Sequence, residues 1–558
     1  MGSHFQSWIR RPAALLLLLL TLVAIPMLRE INKGELHLNV DETRHAMSGV
    51  FLHDFLRDFP LRWPLQYAYE YYGKYPAVSI GHWPPAFYFF EAIFFILFGI
   101  SVWVSRLAVI IFALVGAVFW YKIARFYVRP ELALASMVIY VCLPSVLLYE
   151  KATMLEIPVL ALSLVAIYCW LRNLDSAQKH WLYGVAFFSA WALLTKQTAI
   201  FLIPLFFFDW IRRRRWDLLR DKHTYLALGL ATVLVVPWYL VGLYMHPQVF
   251  QQVVGSYGGP GAPSLATVLT YYPLTLPGEL GLLLLGLALL GILAVILVRD
   301  SARHGFFFIW IVSCYLVFTP ISDKAPRIIM PWLLPFIYFA VYFVWRVLSR
   351  WPRVAPAALA VLVISYYVPA LAFQRPYVKG CEEAARFLAA QPDSDLLFYQ
   401  GTLNGNFIFF VRKFDPEKRR LVVREKAIVA VNLISGMGGE DSYLEKRQSL
   451  YTPEEVEQWF LRLGVRYLVV ENKDFVPELA VTRKALQSDR FELVKEIPIQ
   501  TNDYRMAGIK LLIYRTKQPS TPIVNELEIP MLTLPWDLRL PLARLVGQPW
   551  PPPSTAQR

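Results

Sequence analysis

Residues 39–49 read NVDETRHAMSG, which sets Asp41, Glu42, Arg44 and His45 within five positions. A carboxylate beside a guanidinium suits deprotonation of a hydroxyl next to an anionic leaving group: the acid serves as base while the cation stabilises developing negative charge. The same residues also suit a solvated helix start, because acids near an N-terminus favour the helix dipole. A second acidic stretch, YEKATMLE at 149–156, brackets Lys151 between Glu150 and Glu156. Lys196 in LLTKQTAIF, and Lys324 and Arg327 in SDKAPRIIMP, are cations in short corners between apolar runs. Such groups either snorkel along their apolar stems or neutralise a phosphate. His82 in GHWPP could be a general base, a metal ligand or an interface-seeking ring beside Trp83, and a lone His lacks metal-ligand spacing.

The elements that must position these side chains are membrane elements. The 558 residues are 57% hydrophobic and 17% charged, against about a quarter charged in soluble chains. The run PAALLLLLLTLVAIPML at 12–28 follows Arg10 and Arg11 and lacks a small-residue cleavage site, which predicts a retained first span. Ten further runs, near 104–121, 131–149, 157–171, 181–194, 197–211, 225–245, 279–298, 305–320, 328–345 and 355–373, bring the expectation to about eleven spans. The segment 84–99 is short, opens with two prolines and carries Glu91. Its status sets the parity of every later loop. If it does not cross, the cationic links at 121–130, 212–222, 299–304 and 345–353 all join Arg10 and Arg11 in the cytoplasm, as the positive-inside rule asks. The segment is therefore read as interfacial or re-entrant. The outside then receives a long first loop (29–105), the corners carrying Glu156, Lys196, Lys324 and Arg327, the loop 246–278 and everything after about residue 374. The net charge of +14 reports this sidedness rather than nucleic-acid binding.

After residue 374 charged residues become frequent. LLFYQG, RLVVRE and VRYLVVE alternate with helical stretches such as TPEEVEQWFLRLG, whose Thr, Pro and Gly mark its two ends. This predicts a small extracytoplasmic α/β domain over 374–517, after a multi-span domain over 1–373. A Pro-rich tail, 518–558, is expected to be extended or disordered. The four cysteines show no disulfide or zinc spacing. No phosphate-binding glycine loop is present, and the DSD at 393–395 sits at an apparent helix–strand turn, so an activated donor already in the membrane is favoured over a water-soluble one.

DETRHA, HWPPAFYFF, ATMLEIPV, LLTKQTAIFLIP and DKAPRIIMPWLLP, in this order between apolar runs, resemble the GT-C superfamily of polytopic glycosyltransferases, in the branch of the aminoarabinose (lipid A) transferase and the protein O-mannosyltransferases. The resemblance covers roughly residues 12–343. It implies a GT-C-like α-helical membrane fold and an enzyme that moves a sugar from a polyprenyl-phosphate donor to a hydroxyl or phosphate of a lipid, glycan or protein acceptor. The implied place is the outer face of the plasma (inner) membrane. It implies Asp41 as catalytic carboxylate, with Glu42 beside it and Glu156 as the second-loop acid, and the two acids Asp41 and Glu156 would need to converge. Lipid A-modifying relatives carry a Lys immediately before the prolines of the second motif. Trp83 stands there in this chain, which moves the implied phosphate contact to Arg44, Lys74, Lys196, Lys324 or Arg327. No cofactor is required by this scheme; a divalent ion, were one used, would fall to His82 and Glu156. A lipid-linked-sugar flippase would instead need polar groups in mid-helix or broken paired helices. A non-catalytic scaffold carrying an outer domain would tolerate loss of Asp41.

Overall fold

In hydrocarbon every backbone N–H and C=O must find its partner within the segment, so the apolar runs fold as helices. A computed structural model describes residues 12–79, 81–176, 178–245, 264–321, 324–425, 431–434, 443–446, 452–473, 479–518, 522–529 and 537–551. All eleven apolar runs read from the sequence carry helix. Among the described residues, six helices are long and apolar enough to cross a membrane: Val102–Ala124, Glu156–Asp175, Lys222–Met245, Ser301–Phe318, Pro326–Leu348 and Val354–Ala372. Two bent pairs qualify jointly, Pro130–Cys142 with Pro144–Glu150 at 65° and Leu265–Leu280 with Leu282–Leu297 at 117°. The chain is a polytopic α-helical membrane protein with a small C-terminal α/β region.

Two local expectations are corrected. The run 131–149 is broken at Leu143, because Pro144 has no N–H to continue the ladder. The loop expected over 246–278 carries a helix from Leu265, capped by Ser264, whose hydroxyl accepts from the Thr267 N–H. That helix ends at Gly281, whose φ of +79° suits the sharp bend that follows. The questioned segment is a helix over Ala86–Phe98, 13 residues or about 20 Å long, shorter than the ~30 Å hydrocarbon layer.

The molecule divides into two compact units. The first comprises residues 1–31, 83–87 and 106–375 and holds the long apolar helices. In it Pro12–Leu28 packs on Pro130–Cys142 and Val354–Ala372, Glu156–Asp175 on His180–Leu193, and Leu282–Leu297 on Met330–Leu348. The second comprises residues 32–82, 88–105 and 376–558. Residues 32–82 and 88–105 thus share a body with the C-terminal part. Leu36, Met47, Val50, Tyr67, Tyr71, Tyr75 and Phe95 enter one core with Leu397, Tyr399, Phe407, Val469, Ile513 and Trp550.

The sheet of this unit runs Leu421–Arg424, Leu396–Gln400, Tyr467–Glu471, Lys510–Thr516, Phe491–Pro498 across its width. The first three strands are parallel and the last two join antiparallel. LLFYQG, RLVVRE and VRYLVVE are its three parallel strands, buried on both faces as continuous apolar runs require. Helix Pro453–Leu463 carries the expected caps: Thr452 and Glu455 form a capping box, and Gly464 closes the helix at φ 76°. The described part of the tail includes extended chain that is paired and packed. Glu526–Ile529 and Leu538–Pro541 pair antiparallel, and Trp550 is buried against Tyr67 with ring centroids 4.5 Å apart.

Candidate functional site

Asn39 starts the helix Val40–Asp58, its side-chain oxygen accepting from the Glu42 N–H at 3.1 Å. The four ionisable residues of the first motif then point to different tasks. Asp41 faces Arg44 one turn on, at the long distance of 3.9 Å, with 18% of the Asp41 side chain and 41% of the Arg44 side chain exposed. Glu42 is fully buried and accepts from the backbone N–H groups of His37 and Leu38 at 2.7 and 2.6 Å. It folds the chain back onto the helix start and holds the backbone beside Asp41. His45 Nδ1 and the Tyr88 hydroxyl are hydrogen-bonded at 2.7 Å.

Lys74 is likewise held within its own unit. It is buried with its ammonium on the carbonyl oxygens of Leu545 and Arg419, and burial pulls its pKa down to about 7, against the opposing pull of Asp415, Asp395 and Glu70. It ties the first loop to the C-terminal tail.

A buried ionic lock, missed in the sequence, holds this unit together. Arg412 donates through Nε and Nη2 to both oxygens of Asp54 at 2.7 and 2.5 Å, and through Nη1 to the Asp415 carbonyl. Tyr71 donates to the same Asp54 carboxylate at 2.6 Å and His53 Nδ1 lies 3.0 Å from it. Burial alone would push Asp54 up; Arg412 and His53 outweigh it and hold the carboxyl well below the usual range. Glu35 caps the start of Cys381–Ala389 similarly, accepting from the N–H groups of Gly380, Cys381 and Glu382. Glu91 is fully buried with Ser105 donating to it, and a Cβ on Gly49 would stand 2.1 Å from Glu91 Oε2. Gly49 is thus the residue that admits Glu91.

In the other unit three of the sequence-predicted corners meet. Glu156 is the first residue of its helix, Lys196 precedes the tight turn Gln197–Phe201, and Arg327 lies in the single turn Pro326–Ile329. Lys196 Nζ donates to Glu156 Oε1 at 2.6 Å, and Arg327 Nε stands 3.4 Å from the same oxygen. All three side chains are mostly shielded: 4% of Glu156, 12% of Lys196 and 19% of Arg327 is exposed. Lys324 does not join them. Its ammonium caps the carbonyls of Phe318 and Thr319 and lies over the Tyr272 ring, 4.9 Å from its centroid, and burial draws its pKa down to about 8. Asp41 and His82 belong to one unit and Glu156 to the other. Among the described residues no three His, Cys, Asp or Glu side chains stand together as a metal-ligand set, and Glu156 already faces an ammonium and a guanidinium, a poor start for a cation site.

The family described as dolichyl-phosphate-mannose-protein mannosyltransferase matches residues 82–240, a stretch that includes Glu156 and Lys196. No curated protein matches the sequence. Among solved structures the chain is similar to ArnT from Cupriavidus metallidurans bound to undecaprenyl phosphate, with a TM-score of 0.60 and 14% identity over 91% of this chain and 99% of that one. The apo form of ArnT matches this chain equally, at TM-score 0.60 and 14% identity over 89% and 99% of the two chains. The Archaeoglobus fulgidus oligosaccharyltransferase in its apo form follows at 0.50 and 12%, over 81% and 69%. At such identities the likeness shows a shared fold with ArnT, and the roles of individual residues rest on this chain's own geometry.

Proposed function

We propose that this protein transfers a sugar from a polyprenyl-phosphate donor to a hydroxyl or phosphate of a lipid, glycan or protein acceptor at the outer face of the plasma (inner) membrane. The observation that carries the reading is the meeting of Lys196 and Arg327 on one oxygen of Glu156. Two cations brought from distant corners to one shielded point match what a phosphate leaving group needs. Arg44 is a further cation beside Asp41. That ArnT was solved with undecaprenyl phosphate supports the donor class. The sided arginines support the outer face, and the short Ala86–Phe98 helix supports a non-spanning segment there.

In the proposed reaction Asp41 takes the proton of an acceptor hydroxyl as its oxygen bonds to the anomeric carbon. The bond from that carbon to the phosphate oxygen breaks, and the electron pair leaves on the phosphate. Lys196 and Arg327 receive the added negative charge, and Glu156 acts as the positioning residue that keeps both cations in place between turnovers. Glu42 holds the backbone that presents Asp41.

The test is to incubate the purified protein with labelled polyprenyl-phosphate sugars and fractionate products into lipid, protein and glycan. Transfer is expected, and Asp41→Asn should lower turnover by about 10²–10⁴ with donor binding retained. Absence of transfer from any such donor, or near-wild-type turnover in Asp41→Asn, would overturn the assignment.

A further inference from the structure

The helix Ala86–Phe98 presents Phe89, Ile93, Ile96 and Leu97 outward, 44%, 50%, 47% and 65% exposed. Their spacing of four, three and one is a single apolar stripe on a helix too short to span, the pattern of a helix lying in a membrane surface. Ile96 also forms the lip of a cavity of about 520 Å³, within the roughly 300–1,000 Å³ typical of small-ligand sites. Phe95, Gly99 and Ile100 continue its apolar side, and a Cβ on Gly99 would meet nothing within 4 Å, so the mouth there is open.

The polar side of this cavity is lined by His53, Arg57, Arg412 and Lys413, with no acid among the lining residues. The balancing carboxylates stand behind the wall: Asp54 holds Arg412, and Glu382 holds Lys413 at 2.9 Å. Arg57 is exposed and forms no ion pair among the described residues. Part of this charge offsets the carbonyl ends of the two helices on which Arg57, Arg412 and Lys413 sit, which is the structural use such residues commonly have. That use does not account for an open cavity with cations on one wall and a bilayer-facing apolar stripe at its other edge.

We propose that the cavity holds the phosphodiester headgroup of an anionic phospholipid of the surrounding bilayer. Arg57 and Lys413 contact the phosphate, and the acyl chains pass over Ile96 and Ile100 into the membrane. The site is separate from the transfer chemistry, and its test needs no donor.

The full-length protein is placed in bilayer discs of mixed phosphatidylglycerol and phosphatidylcholine, released, and its retained lipids are counted by native mass spectrometry. Preferential retention of phosphatidylglycerol is expected. Near an anionic headgroup each cation contributes roughly fivefold, so Arg57→Gln should weaken retention about fivefold and Arg57→Gln/Lys413→Gln about thirtyfold. The exposed Arg57 makes the single variant safe for folding. Ile96→Asn should lower retention as well, and soluble glycerol 3-phosphate should fail to displace the lipid. Equal retention of phosphatidylcholine by the wild type, unchanged retention in a folded Arg57→Gln protein, or displacement by the soluble phosphate would overturn the proposal.

Discussion

Replacing Lys196 with Met keeps most of the stem and deletes the ammonium that donates to Glu156 at 2.6 Å. Because both side chains are nearly shielded from water, the local dielectric is low and the charge is poorly screened. A charge-assisted bond from this ammonium to a donor phosphate oxygen contributes about 1.5–3 kcal/mol, and 1.4 kcal/mol is a factor of ten. Lys196→Met should therefore weaken binding of a polyprenyl phosphate by roughly ten- to a hundredfold, and Arg327→Met by a similar factor. Since both cations address one carboxylate oxygen, the double variant should depart from additivity. Lys196→Met also removes a close cation from the shielded Glu156 and should lower thermal stability. Adding Glu156→Gln should restore stability without restoring affinity, which separates ligand binding from simple folding damage. The assay is a titration of labelled undecaprenyl phosphate against detergent-solubilised protein, with the unfolding midpoint recorded for each variant. Wild-type affinity in Lys196→Met, Arg327→Met and their combination, all folded, would remove these residues from the phosphate site.

A reporter fused after residue 374 should be active only in the oxidising external compartment; cytoplasmic activity would reverse the proposed sidedness. Asp54 is an acid held below its ordinary range, so its contribution to stability is present above the unfolded value of about 3.9 and is lost as pH falls below it. Hydrogen exchange of residues 404–415 should accelerate below about pH 4 in the wild type. Arg412→Met should make the same segment labile at neutral pH, by about 3–5 kcal/mol for a broken buried pair, and unchanged exchange would count against the lock. Gly49→Ala should destabilise by about 1–3 kcal/mol, although Ala is the better helix former, because its Cβ would displace Glu91; Glu91→Ala should relieve most of that loss in a melting series.

That Glu156, Lys196 and Arg327 could meet was legible in the sequence because each sits in a short corner between apolar runs on the same expected side. Continuous apolar runs likewise located the membrane helices, and short β-rich runs the three parallel strands. Adjacent carboxylates were harder to separate. Asn39 and Glu42 have capping-box spacing, and that local signal could have told the backbone-holding Glu42 from Asp41. Lys74 offered no such signal, since its acceptors lie 345 and 471 positions away. The Asp54–Arg412 pair spans 358 positions and is equally silent locally. In the tail, extended chain was readable from the prolines, but nothing near Trp550 announces the Tyr67 ring that receives it.

The shared core of the first loop and the C-terminal part has a consequence for the order of events during synthesis. Tyr67, Tyr71, Tyr75 and Asp54 leave the ribosome long before Arg412, Phe407 and Trp550 exist. At about 5–20 residues per second the interval is on the order of tens of seconds. Through that time the spans insert one after another while an aromatic, acid-bearing loop waits beside the membrane without its partners. The helix Val40–Asp58 cannot mature with the first spans; it ripens last, when the final strands arrive. A ribosome stalled after the last span would therefore leave a fully inserted bundle with an unfolded loop, open to surface proteases, and nascent-chain proteolysis would show protection of residues 32–82 appearing only at chain completion.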